Sequence, residues 1–126
     1  MIKNKAIVKI VQRDTKYVIV ESAIWCSSPL CRLIGLQFSK PLEPDHGLLL
    51  ANRNESVAGS SIHMFFVFYP IAAIWINNHG LITSAQLAKP WRPYYASPEP
   101  ARYILEAPPE TLSRVSVGDE IDFLPA

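Results

Sequence analysis

The sequence predicts a mainly β fold with one short helix near its start. Two runs rich in valine and isoleucine, Lys5 to Val11 and Tyr17 to Trp25, flank the polar group Arg13, Asp14, Thr15 and Lys16, which suits a turn. From Ser56 to Ala88 no Asp, Glu, Lys or Arg occurs, and the apolar runs inside that stretch have the length of strands. Near the end, Glu120, Ile121, Asp122 and Phe123 alternate polar and apolar with the period of two that a half-buried strand requires.

The first two runs predict an opening β-hairpin. Ser27 and Ser28 then precede Pro29, and apolar residues follow at Leu30, Leu33 and Ile34, so a capped helix is expected from Pro29 to about Phe38. After the Pro41 to His46 loop, Gly47 to Ala51 reads as a short buried strand, and Asn52 to Ser61 has loop composition. Ile62 to Tyr69 and Ala73 to Ile76 are apolar on both alternating faces, as in strands covered on both sides. Asn78, His79 and Gly80 form the turn, with Gly80 supplying a positive φ, and Leu81 to Leu87 returns. Lys89 to Pro100 holds four prolines with Trp91, Tyr94 and Tyr95, an extended segment that cannot be a central strand. Ala101 to Ala107 is a strand, Pro109 to Val115 a turn of helix, and Gly118-Asp119 turns the chain into the last strand.

A chain of 126 residues has the size of a single domain that buries about two thirds of its unfolded surface. No internal repeat or linker divides it. Charged residues make up 18%, below the roughly 25% of ordinary soluble domains, so self-association is expected. Twelve Lys and Arg against eleven Asp and Glu give a net charge of +1, which offers no broad field to a phosphate backbone and argues against general nucleic-acid binding. Cys26 and Cys31 do not amount to a disulfide framework, so free thiols in a reducing compartment are the expectation. Lysines interleave the N-terminal apolar residues and leave no continuous signal-peptide core, so a cytoplasmic setting is expected. The apolar run Ile62 to Ile76 is shorter than the roughly 20 residues that span a bilayer, and Pro70 interrupts it, so no membrane insertion is expected.

Six phrases fall in one order: Cys31-Arg32-Leu33-Ile34-Gly35-Leu36, Gly47-Leu48-Leu49-Leu50, Ile62-His63-Met64-Phe65-Phe66, Pro90-Trp91-Arg92, Ala101-Arg102-Tyr103-Ile104-Leu105-Glu106 and Val117-Gly118-Asp119. Over about Cys26 to Phe123 this string resembles the prokaryotic family called domain of unknown function 192. The resemblance implies an antiparallel β sandwich or barrel of jelly-roll type with a short helix near residues 29–38, and no settled activity, cofactor or substrate. Two departures stand out. Relatives commonly carry a Leu-Asp pair after the Pro-containing bend where this chain has Ile71-Ala72, and a basic or polar residue before it where this chain has Phe68-Tyr69. Many relatives also have a secretory or lipoprotein leader, which is not expected here.

Several residues are candidates for chemistry, each with a plain structural alternative. Cys26 and Cys31 flank a helix start, where the dipole lowers a thiol pKa and suits a redox pair, but their spacing is not the two-residue gap of thioredoxin-like motifs and a core cysteine is the alternative. His46, His63 and His79 with the cysteines are zinc-type donors without paired spacing, so no metal is expected. His63 lies in an uncharged stretch, where a satisfied core or edge histidine is the bland reading. Trp91, Arg92, Tyr94 and Tyr95 put flat rings beside a guanidinium, suited to a ligand or a protein hot spot, or to clamping a proline-rich segment over the sheet. Arg32 and Glu106 fit a structural ion pair between helix and late strand.

No nucleophile elbow, phosphate loop or HExxH helix occurs, so no enzyme class has positive support. The leading expectation is a non-catalytic binding or interaction module that presents the aromatic/Arg loop to a small molecule or protein, with His63, Trp91, Arg92, Tyr94, Glu106 and Arg32 as binding candidates. The first alternative is a small hydrolase or thiol-dependent enzyme using Cys31 or His63. The second is a homodimer or larger homo-oligomer assembled through the apolar hairpin 62–88.

Overall fold

The computed structural model describes residues 2–126. Seven strands run as β1 (Ile7–Gln12), β2 (Val18–Cys26), β3 (His46–Ser56), β4 (Ile71–Ile76), β5 (Ile82–Ala88), β6 (Ala101–Ala107) and β7 (Ile121–Pro125). A short helix α1 (Pro29–Ile34) follows β2, and a 3-10 turn, η1 (Pro109–Arg114), follows β6. The strands form one sheet in the order β5-β4-β6-β3-β2-β1-β7.

The sheet curls into a half-barrel whose two edges meet at a single point. Leu81 pairs with Glu120 across the gap. Around that pair Ile82 N–H donates to the Asp119 carbonyl at 2.9 Å and Ile121 N–H donates to the Gly80 carbonyl at 2.8 Å. Arg13 completes the clip: its guanidinium donates to Asp122 and Glu120 and to the carbonyls of His79 and Ile121. Gly80 is dictated here twice over. Its φ is +80°, and a Cβ would sit 2.5 Å from Arg13 Nη2 and 2.7 Å from the Ile121 carbonyl oxygen. Asp122 and Glu120 in turn hold the Arg13 guanidinium above its already high pKa, chiefly through the Asp122 hydrogen bond.

Alternation along the central strands divides the apolar residues between two faces. Leu49, Ala51, Ile74, Ile76 and Leu105 join Ile10, Ile82 and Ile121 in the core enclosed by the curl, and Trp25 lies with them. Leu48, Leu50, Ala73, Trp75 and Ile104 form a second core on the outer face with Ile62, Met64 and Val67. All six residues of β4 are buried because both of its faces are covered, the condition its uninterrupted apolar run anticipated.

Several expectations need correction. β2 and β3 are parallel, so the sheet is not wholly antiparallel as the resemblance implied, and it is a single curled sheet. Ile62 to Tyr69 is not a strand of the apolar hairpin. Ile62 makes one isolated bridge to Tyr95, Met64 bonds to the 91–92 backbone, and Phe66 turns left-handed at φ 62°, so the segment is an irregular cover over the outer face. The hairpin is therefore β4 and β5 alone, closed as expected across Asn78-His79-Gly80, with Asn77 Oδ1 accepting from the His79 and Leu81 amides. The helix stops at Ile34, short of Phe38, because Gly35 takes a φ of +52° and leaves the right-handed helical region. It buries none of its residues: Leu30, Leu33 and Ile34, expected on the core side, are exposed. β3 runs on to Ser56, through half of the segment that had loop composition. No helix among the described residues is long and apolar enough to cross a membrane.

Candidate functional site

β6 places Ile104 and Glu106 on the outer face, because they share one parity along the strand and Ile104 packs in the outer core. An apolar residue would be the ordinary occupant of position 106. Instead a carboxyl group is 5% exposed there, and burial pushes its pKa up to about 7. One of its oxygens, Oε1, has no hydrogen-bond partner among the described residues.

Over Glu106 lies a cavity of about 80 Å³, whose wall is half supplied by α1 and the turn that follows it, Arg32 to Gln37. Leu50, Ile62, His63, Val67 and Glu106 complete most of the rest. Ser28 positions the helix by accepting a hydrogen bond from Cys31 N–H at 3.1 Å, the expected serine cap before Pro29. Arg32 projects from it and donates from Nη1 to Asn52 Oδ1 at 2.9 Å, while Asn52 is steadied by donating to the Gly59 carbonyl. Arg32 Nε is buried without a partner among the described residues. The expected Arg32–Glu106 ion pair is absent among the described residues, since the guanidinium is turned to Asn52. Two of the residues that line the cavity thus carry, among the described residues, an unanswered donor and an unanswered carboxyl oxygen, each costly to bury alone.

Beside the cavity stands an exposed aromatic cluster. Phe38 stacks on Phe66 with centroids 4.8 Å apart, and Trp91 packs edge-on against Phe66 at 5.1 Å and Phe68 at 5.4 Å. The cluster adjoins the cavity through the chain itself, because the lining residues Gln37 and Val67 are bonded to Phe38, Phe66 and Phe68. Phe38, Phe66 and Trp91 all adopt left-handed φ values of 58°, 62° and 65°. For bulky side chains each such conformation costs on the order of 1 kcal/mol, and backbone strain of this kind concentrates at functional surfaces.

The other candidates fall around this arrangement unevenly. His63 lines the cavity from an exposed position, and its Nδ1 accepts from Phe65 N–H, so the neutral ring carries its proton on Nε2. Trp91 joins the aromatic cluster, whereas Arg92 and Tyr94 stand exposed on the loop and line neither cavity nor cluster. The aromatic/Arg loop is held by backbone bonds between Met64 and both Trp91 and Arg92. Cys26 and Cys31 form a disulfide with Cα atoms 5.6 Å apart, which corrects the expectation of free thiols. Neither is a thiolate nucleophile or a zinc ligand in this state. His46 and His79 lie at other turns. Ala72, which stands in place of the common aspartate, is fully buried in the inner-face register of Ile74 and Ile76, so that departure does not touch the Glu106 cavity.

Residues outside the expected binding set contribute as much. Asn52 lay in a segment read as loop, and Phe38, Phe66 and Phe68 were read as helix and strand. A run of phenylalanines on both parities of one segment was the available signal, since a half-buried strand leaves only one parity apolar.

The family model DUF192, described as uncharacterized ACR, matches residues 8–123. This chain belongs to the DUF192 family. Among its relatives is a UPF0127 protein of Thermococcus kodakarensis, 34% identical over 98 residues that cover 76% of this chain and 60% of that protein. A UPF0127 protein of Pyrococcus furiosus is 34% identical over 95 residues, covering 73% of this chain and 78% of that one. This DUF192 chain therefore matches only about 60% of the length of the Thermococcus relative. Its fold is similar to a solved Sinorhizobium meliloti 1021 protein, described provisionally as a transcription regulator, with a TM-score of 0.83 at 22% identity over 98% of each chain. A Novosphingobium aromaticivorans structure of unknown function is similar at a TM-score of 0.78 and 15% identity, covering 92% of this chain and 83% of that one. At these identities the two structures establish a shared fold and nothing about activity.

Proposed function

We propose that this DUF192 chain is a non-catalytic binding module that takes a small hydrogen-bonding group between Arg32 and Glu106, with the adjoining aromatic cluster gripping the apolar remainder of the ligand. The observation that carries this reading is the pair of buried, unpartnered polar atoms, Arg32 Nε and Glu106 Oε1, on residues that line one cavity. A group that both accepts and donates a hydrogen bond satisfies both. The leading site thus moves from the Pro90 to Tyr95 loop to the floor beside it, keeping Trp91 at the rim and leaving Arg92 and Tyr94 outside.

Nuclear magnetic resonance titration of the full chain tests the proposal with four small probes: acetamide, glycerol, acetate and methylammonium. Acetamide and glycerol, which combine donor and acceptor, are expected to shift the amides of Arg32 to Gln37 and of Glu106, and to lose this effect in Arg32→Ala. No shift with any of the four sinks the reading.

A second reading, a small hydrolase, draws on the Glu106 carboxyl, whose pKa of about 7 suits acid-base work at neutral pH. The thiol-dependent version loses its nucleophile to the disulfide. A cytoplasmic setting and a single-domain organisation go with this reading, and a homodimer formed through the 62–88 region is its rival, resting on the exposed Phe65, Phe66, Phe68 and Leu87 because β4 is already covered on both faces. The regulator description of the Sinorhizobium protein does not extend to nucleic-acid binding here, because a net charge of +1 supplies no attracting field.

A further inference from the structure

We propose that the Cys26–Cys31 disulfide is a reversible latch that holds α1 over the Arg32–Glu106 cavity, so that thiol–disulfide exchange opens and closes this site. The inference rests on the cavity being the functional site, as argued above, although the movement of the helix is measurable without any ligand.

Very little other than the disulfide attaches α1 to the body. The helix has six residues and buries none of them. Isolated helices of this length do not hold together in water, so its order comes from its attachments. Those are Asn4 Oδ1 accepting from the Ser27 and Ser28 amides, the Arg32–Asn52 bond and, beyond the helix end, the buried side chain of Leu36 together with Phe38, whose N–H donates to the Phe66 carbonyl at 2.8 Å and whose ring stacks on Phe66. Both side-chain attachments, to Asn4 and to Asn52, are exposed or only part-buried, where each contributes little. The disulfide differs in kind. Cys26 is the last residue of β2, fully buried in the outer core with Leu48, Leu50 and Met64, so its sulfur is a fixed anchor point. Cys31 sits in the middle of α1, one residue before Arg32.

The segment so anchored is half of the cavity wall, Arg32 to Gln37, and Gly35 lies directly against Glu106, a Cβ there being 3.8 Å from Oε1. Releasing Cys31 lets this wall lift, removes Arg32 from its place and brings water to the Glu106 carboxyl. Leu30, Leu33 and Ile34 are exposed, so the wall pivots on Leu36 and on the Phe38–Phe66 contact.

The exchange is an ordinary two-electron step with a dithiol as reductant. A thiolate of the dithiol attacks Cys31 Sγ, the more accessible sulfur, since Cys31 is only part-buried and Cys26 is fully buried. The Cys26–Cys31 bond breaks and Cys26 leaves as a thiolate that takes up a proton. The second thiol of the dithiol then displaces Cys31, forming the dithiol's own disulfide and a second protein thiol. In a reducing compartment a disulfide is a transient, signalling state, so this latch also fits the cytoplasmic setting proposed above.

Amide hydrogen exchange on the full chain, oxidised and after excess dithiothreitol, tests the latch, with thiol counting to establish that two thiols appear and reoxidation as the control. Reduction is expected to speed exchange at the amides of residues 32–37 by more than roughly tenfold while the Phe38 amide and those of β4 and β6 keep their protection. Cys31→Ser without reductant is expected to match the reduced protein. Unchanged exchange at residues 32–37 in both, or no thiols after dithiothreitol, overturns the latch. Failure of the latch with probe shifts intact leaves the binding site standing, whereas an opened helix with no probe shift supports the latch and sinks the site.

Discussion

Arg32 and Glu106 line the same cavity without bonding to each other: Arg32 gives its Nη1 to Asn52 at 2.9 Å, and Glu106, almost fully buried, leaves Oε1 unpartnered among the described residues. Their separation leaves a carboxyl group that burial alone governs. Its pKa rises from the ordinary 4.5 to about 7, so between those values the folded protein keeps a proton that the unfolded chain has lost. A group that binds more protons when folded weakens the fold as pH rises, and the loss is complete once pH exceeds the folded pKa.

Glu106→Gln removes that penalty. Urea unfolding at pH 5 and pH 8 should show the variant gaining on the parent protein as pH rises, by up to about 3 kcal/mol at pH 8 from the shift of Glu106. Parallel pH dependences in the two proteins would mean that Glu106 titrates normally.

Gly80→Ala tests the clip between the sheet edges. The new Cβ would meet Arg13 Nη2 and the Ile121 carbonyl inside van der Waals contact, in a backbone conformation that disfavours any side chain. A loss of roughly 1–3 kcal/mol is expected by chemical denaturation. Arg13→Ala should itself lower the melting temperature, because β7 and the β4–β5 turn lose their shared partner. Combining it with Gly80→Ala should not rescue the glycine variant, since the clash with the Ile121 backbone persists.

Trp75→Phe isolates one buried hydrogen bond beneath the outer face. The fully buried Trp75 indole donates to the Ser60 carbonyl at 2.8 Å and so pins the 57–60 turn that also receives Asn52. Its loss should cost roughly 1–3 kcal/mol, read from denaturation midpoints. It should also loosen the Arg32 position, read as broadened resonances at Arg32 and Asn52.

Trp91→Ala and Arg92→Ala should separate the two halves of the aromatic/Arg loop. Trp91 packs on Phe66 and Phe68, and Arg92 lines neither the cluster nor the cavity. With an aromatic probe such as benzamide, which carries an amide for the cavity and a ring for the cluster, Trp91→Ala should weaken affinity by roughly tenfold, in the range of one lost aromatic contact. Arg92→Ala should leave it unchanged. Equal losses would return the site to the loop as a whole.

The sequence by itself determined the parts governed by local pattern. The strands at β1, β2, β4, β6 and β7, the serine cap and proline before α1, the Asn78-His79-Gly80 turn and the two-sided burial of β4 all follow from periodicity and turn chemistry, which act over a few residues. Family membership was legible too, because six short phrases in order survive where no single one is distinctive. What only the tertiary structure decided concerns groups far apart in the chain. Whether Ile62 to Tyr69 paired as a strand depended on the 91–95 backbone taking its hydrogen bonds. Whether Arg32 met Glu106 depended on Asn52 competing for the guanidinium. Whether the cysteines bonded depended on α1 folding back against the end of β2, and composition is silent on that approach. The candidate site lies almost wholly in this second class: hydrogen-bond satisfaction is settled by which partners arrive in space, and an unanswered donor or carboxyl oxygen leaves no mark on sequence periodicity.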